Sequence, residues 1–149
     1  TLYHNSKTAD CRYNLRMFDM ISIYILIAGS YTPFTLILLK DNQGWLLFTI
    51  IWLLAFFGIA WKIFTVGKYN LVTTSLYIFM GGLWLFFYES FVNQIPSDAL
   101  WWITAGCLTY LAGVIFYLLD NKLKYNHFIW HLFVLAASGC HYISIYFYI

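Results

Sequence analysis

Five apolar stretches alternate with short polar turns along this 149-residue chain. That alternation limits the fold more than any other feature of the sequence. A helix of ~20 predominantly apolar residues crosses a ~30 Å hydrocarbon layer, and the stretches run at about 17–39, 45–64, 71–91, 99–119 and 127–149. Inside a bilayer the backbone finds no water to bond, so only helices and closed β-barrels span it. Barrel strands alternate polar and apolar residues, whereas these stretches are apolar on every side. The charge content agrees: 9% of residues are charged, against ~25% in a soluble domain. The sequence predicts an all-α, polytopic transmembrane helix bundle, one domain over 1–149, with 1–16 as a polar segment ahead of the first span.

The turns are short, so neighbouring helices run antiparallel. Gly29-Ser30-Tyr31-Thr32-Pro33 is expected to kink the first span. The third span carries Gly81-Gly82 at its middle and Glu89 at its far end. Gly58, Gly81, Gly82, Gly106, Gly113 and Gly139 are expected to let helices approach closely. Trp45, Trp61, Trp101, Trp102 and Trp130 fall near span ends, where interfacial anchors belong. Cys11, Cys107 and Cys140 show no CxxC spacing and read as unpaired.

Basic residues collect on cytoplasmic loops. One face gathers Lys7, Arg12, Arg16, Lys62, Lys68, Lys122 and Lys124, and the other has Lys40 alone. The N-terminal segment is therefore expected inside and the C-terminus outside. These loop charges, on a net of +2, carry no suggestion of nucleic-acid binding; the partners expected are membrane lipids.

Against this apolar background His127-Phe-Ile-Trp-His131 stands out. Positions i and i+4 share one helix face, so the two imidazoles project together as metal ligands must. They also read as interfacial histidines bonded to headgroups or backbone. Asp19, at the same end of the first span, and His4, about a dozen residues ahead of that span, fall at similar depth. Ionisable side chains inside spans usually face a bundle interior or a cavity. Three imidazoles with an oxygen donor is the set of a catalytic zinc site, where the metal makes water acidic enough to ionise near neutral pH. Asp19 would either ligate or hold that water. It also reads as a helix cap, and His4 as a tail residue. His141, ten residues beyond His131, lies ~15 Å deeper and reads as a packing residue.

Three segments together resemble the hemolysin III branch of the progestin and adipoQ receptor family, which includes the adiponectin receptors. They are Thr1-Leu-Tyr-His4, Phe18-Asp19 with Ile27 to Pro33, and His127-x-x-x-His131-Leu-Phe-Val. The resemblance implies that the five spans correspond to helices three to seven of a seven-helix fold, in a chain that is N-terminally incomplete. It implies a bacterial plasma-membrane protein, with His4, His127 and His131 as zinc ligands and Asp19 as the water-associated catalytic carboxylate. It further implies hydrolysis of a lipid amide, in the manner of ceramidase-like relatives. Two non-enzymatic readings stay open: a channel-like or cytolytic protein, and a receptor-type membrane regulator whose zinc is structural.

Overall fold

A helix buried in lipid satisfies its own backbone, so the apolar stretches become helices and their side chains are left to settle how they pack. The computed structural model describes residues 9–39, 42–65, 70–118 and 125–148. The helices are α1 (Ala9–Pro33), α2 (Asn42–Phe64), α3 (Asn70–Gly82), α4 (Tyr88–Gln94), α5 (Ser97–Leu118) and α6 (Asn126–Tyr148). A π-helical turn, Phe34–Leu38, extends α1, and a 3₁₀ segment, Leu83–Phe87, joins α3 to α4. With α3 and α4 taken together, five helical segments are long and apolar enough to cross a membrane. The bundle is all-α among the described residues, as the sequence predicts.

One reading of the sequence changes, and two irregularities interrupt the α geometry. Helix α1 starts at Ala9, so Asp19 lies well inside a helix and caps nothing. Pro33 has no N–H for the ladder, and the turn after it widens to π geometry, a recurrent helix irregularity. The third span is helical throughout, Leu71–Gln94, but it passes through 3₁₀ geometry at Leu83–Phe87. Its α ladder breaks after Gly81-Gly82, where two residues without side chains leave the backbone little to hold it. The Tyr31 hydroxyl mends the break: it donates to the Gly81 carbonyl at 2.9 Å and accepts from the Trp84 N–H at 3.3 Å.

Contacts between helices establish the antiparallel order. Tyr24 of α1 sits against Gly58 of α2, and Thr32 accepts from the Trp52 indole at 3.2 Å. At the other end of that pair, a Cβ on Gly44 would strike the carbonyls of Thr35 and Leu39. Along α5 and α6, Ser144 donates to the Ala99 carbonyl at 3.1 Å. Next in line, His141 packs on Gly106, Tyr110 bonds Ser138 at 2.8 Å, and Phe116 stacks on Phe133. Such side-chain fitting matters because lipid tails give no hydrophobic drive to helix association. Gly58, Gly106 and Gly113 are the close approaches that the sequence led us to expect. Gly81, Gly82 and Gly139 are not: a Cβ on any of them would meet nothing within 4 Å.

Tyr24, Ala28, Leu47, Ile51, Met80 and Ala99 lie at the centre of the core, fully shielded. Outward, Phe56, Phe64, Leu71, Phe86, Leu135 and Phe147 are exposed. Large apolar side chains turned outward all round are what a lipid-facing surface requires. Trp45 and Trp101 belong to it, at 63% and 72% exposure. Trp130 does not anchor an interface, being 4% exposed inside the bundle.

Candidate metal centre

Helix α6 starts at Asn126, itself buried, and the Ile129 N–H bonds back to the Tyr125 carbonyl at 3.0 Å to close the first turn. His127 and His131 then stand on one face. What turns that face toward α1 is Trp130, about 80° around the helix from the pair. Its ring lies over Gly113 and beside Tyr117, with ring centroids 5.4 Å apart. With Trp130 seated on α5, the histidines point to α1.

Asp19 meets them there. Its carboxylate oxygens lie 3.5 Å from His127 Nε2 and 3.9 Å from His131 Nε2. The two Nε2 atoms are 3.1 Å apart, with the rings nearly perpendicular at 85°. One ligand atom from each residue falls within 4.8 Å of the others, so the three make a group able to hold a metal ion. All three side chains are partly shielded, between 23% and 35% exposed.

The geometry tests the fit. Two nitrogens bound to one zinc at ~2.0–2.1 Å with tetrahedral angles stand about 3.3 Å apart. The His127–His131 separation of 3.1 Å is within about 0.2 Å of that value. The Asp19 oxygens sit slightly further out, within reach of a ligand position or of a water beside it. The structure thus brings together three of the four residues singled out in the sequence. His4 lies outside the described residues. His141 is not part of the group; its ring packs on Gly106 and edge-on to Tyr110, centroids 5.7 Å apart.

Just below the cluster, one helical turn on from Asp19 and from His131, Ile23 and Val134 border a cavity of about 400 Å³. It continues between α1, α3, α5 and α6 as far as His141, with Tyr31, Gly81 and Leu108 on its walls. Ile78, Leu85, Leu108 and Leu111 of its lining are exposed, so the cavity opens toward the lipid-facing surface beside α3, the 3₁₀ segment and α5. One signal of this space is present in the sequence, the Gly81-Gly82 pair, which reads equally well as a packing site.

A family model described as haemolysin-III related matches residues 1–142. The chain belongs to the haemolysin-III-related family. Among similar proteins, "Hemolysin-3" of Bacillus cereus is 39% identical over all of this chain and 68% of its own length. "Hemolysin-3 homolog" of Bacillus subtilis (strain 168) is 36% identical, over 99% of this chain and 69% of its own. The Homo sapiens "Monocyte to macrophage differentiation factor" is 33% identical, over 89% of this chain and 55% of its own. No solved structure matches the chain. Membership and the five apolar helices together make this haemolysin-III-related chain an integral membrane protein.

Proposed function

We propose that this haemolysin-III-related protein is a zinc-dependent hydrolase of a lipid amide. Zinc would be held by His127 and His131 together with His4, and Asp19 would act on water. One observation carries the reading: a His/His/Asp group at zinc spacing stands one helical turn above an apolar cavity that reaches the lipid phase. The donor set fits zinc, which suits nitrogen and oxygen ligands. When bound, the metal supplies Lewis acidity toward a carbonyl and toward water.

The chain's own residues do the rest. The apolar walls take up an acyl chain, so the polar end of the lipid stops at the cluster. Asp19 Oδ1 and Oδ2, both directed at the histidines, are placed to accept a proton from water and pass it to the departing amine. Partial burial of all three side chains strengthens their electrostatic action relative to open water. The bias of basic residues supports a cytoplasmic orientation of this face. The test is hydrolysis of an N-acyl sphingoid lipid by the purified full-length protein, with release of fatty acid followed by mass spectrometry. Activity lost in Asp19→Asn while zinc is retained supports the assignment; no turnover of any lipid amide by zinc-loaded protein refutes it.

Two relatives carry the name hemolysin, which favours a second reading as a membrane-lytic protein. Dye leakage from liposomes that survives His131→Ala would select it.

A further inference from the structure

Asp19 reaches the cluster from α1, whereas both histidines come from α6, and these two helices touch only lightly. Helix α6 packs on α5, and α1 packs on α2 and α3. The position of the carboxylate relative to the imidazoles is therefore set through other helices. One contact on that route stands next to the carboxylate. The Tyr77 hydroxyl of α3 donates a buried hydrogen bond of 2.6 Å to the carbonyl oxygen of Met20, 57 residues away. Both residues are buried, Met20 at 4% and Tyr77 at 7% exposure.

The Met20 carbonyl is also the i−4 acceptor for the Tyr24 N–H in the helix ladder. A second donor arriving from α3 fixes that turn of α1 in both rotation and rise. Tyr24, which closes the turn, is itself held. Its ring meets Tyr77 edge-on, with centroids 4.6 Å apart and planes at 61°, and fills the space that a Cβ on Gly58 would need. Helices α2 and α3 thus grip α1 directly below Asp19.

We infer that Tyr77 is a positioning residue of the metal centre: its hydroxyl fixes α1 so that the Asp19 carboxylate faces His127 and His131. The inference rests on reading that cluster as a metal centre. Metal–ligand distances in a well-formed site fall within ~0.2 Å of their standard values, and a turn free to rotate would move the carboxylate out of that range.

Tyr77→Phe removes the hydroxyl and keeps the ring against Tyr24. Tyr31→Phe is the control, since it removes a hydroxyl bonded to the backbone of the same span far from the cluster. Co²⁺ titration of the full-length protein in nanodiscs reads affinity and the visible d–d band. Tyr77→Phe is expected to weaken Co²⁺ binding about 10–100-fold and to alter the band, with Tyr31→Phe leaving both unchanged. Parental behaviour in Tyr77→Phe, or an equal loss in both variants, overturns the inference. A second readout needs no metal. Spin labels on Phe18→Cys and Phe128→Cys, both exposed beside the cluster, measure the α1–α6 distance in a background with the native cysteines replaced. The distribution should shift or broaden in Tyr77→Phe and not in Tyr31→Phe; an unchanged distribution overturns the inference. A parent protein that binds no Co²⁺ counts against the metal reading, and the label distances then judge Tyr77 alone.

Discussion

Trp130 lies across Gly113 so closely that a Cβ there would come 3.1 Å from Trp130 Cε3 and 2.7 Å from Phe133 Cβ. The socket sets the rotation of α6, and with it the direction in which His127 and His131 point. A residue on α5 that bears no ligand thus helps to build the ligand pair. The same logic holds at Gly58, where the missing side chain admits Tyr24 and brings α1 against α2.

Filling the socket should therefore damage the metal centre from a distance. Gly113→Val forces Trp130 and Phe133 away, an overpacking that costs about 1–3 kcal/mol. Stability is expected to fall by that amount in a detergent-unfolding assay. Zinc affinity should fall with it, although every ligand is intact. A variant of parental stability and zinc content would show that Trp130 does not set the rotation of α6.

Tyr31→Phe should open the break in the third span. It leaves the Gly81 carbonyl and the Trp84 N–H without the hydroxyl that bonds both. Side-chain hydrogen bonds between membrane helices contribute about 0.6 kcal/mol on average and about 1.7 kcal/mol at most. A loss within that range is expected, with faster hydrogen exchange confined to residues 81–88 and zinc binding unaltered. Uniform exchange along α3 and α4 would contradict it.

Gly81 and Gly82 border the cavity with open space beyond a Cβ. Gly81→Leu is expected to fold, since it adds apolar volume where nothing stands. It should also reduce the lipid that copurifies with the protein, as read by native mass spectrometry. Unchanged lipid content would mean that the cavity holds no chain.

Much of this was legible in the sequence because the membrane leaves so few choices. An apolar stretch of the right length becomes a helix, and His127 and His131 share a face wherever the helix goes. What the sequence withheld lies across helix pairs. Gly113 and Gly81 look alike in the sequence, yet one is pressed by Trp130 and the other faces empty space, because a glycine's role belongs to whatever stands opposite. Trp130 misled for the same reason: a tryptophan near a span end suits an interface and a core socket equally. The Tyr77–Met20 bond joins residues 57 positions apart and leaves no pattern in either span. Asp19 was easier to find, since a carboxylate inside an apolar stretch is conspicuous.

Acidification should release the metal, because protons compete for both imidazoles. Zinc affinity is expected to fall as the pH is lowered, since the ligands must be deprotonated to bind. Asp19→Asn should weaken binding less than His131→Ala does. Affinity independent of pH would argue against histidine ligation.

Metal analysis of the purified full-length protein, with His131→Ala measured beside it, decides whether this cluster holds zinc. Zinc is expected at about one ion per chain in the parent and close to none in the variant, with helical content the same in both. A parent protein free of metal, or a His131→Ala variant that keeps a full complement of zinc, would contradict that expectation.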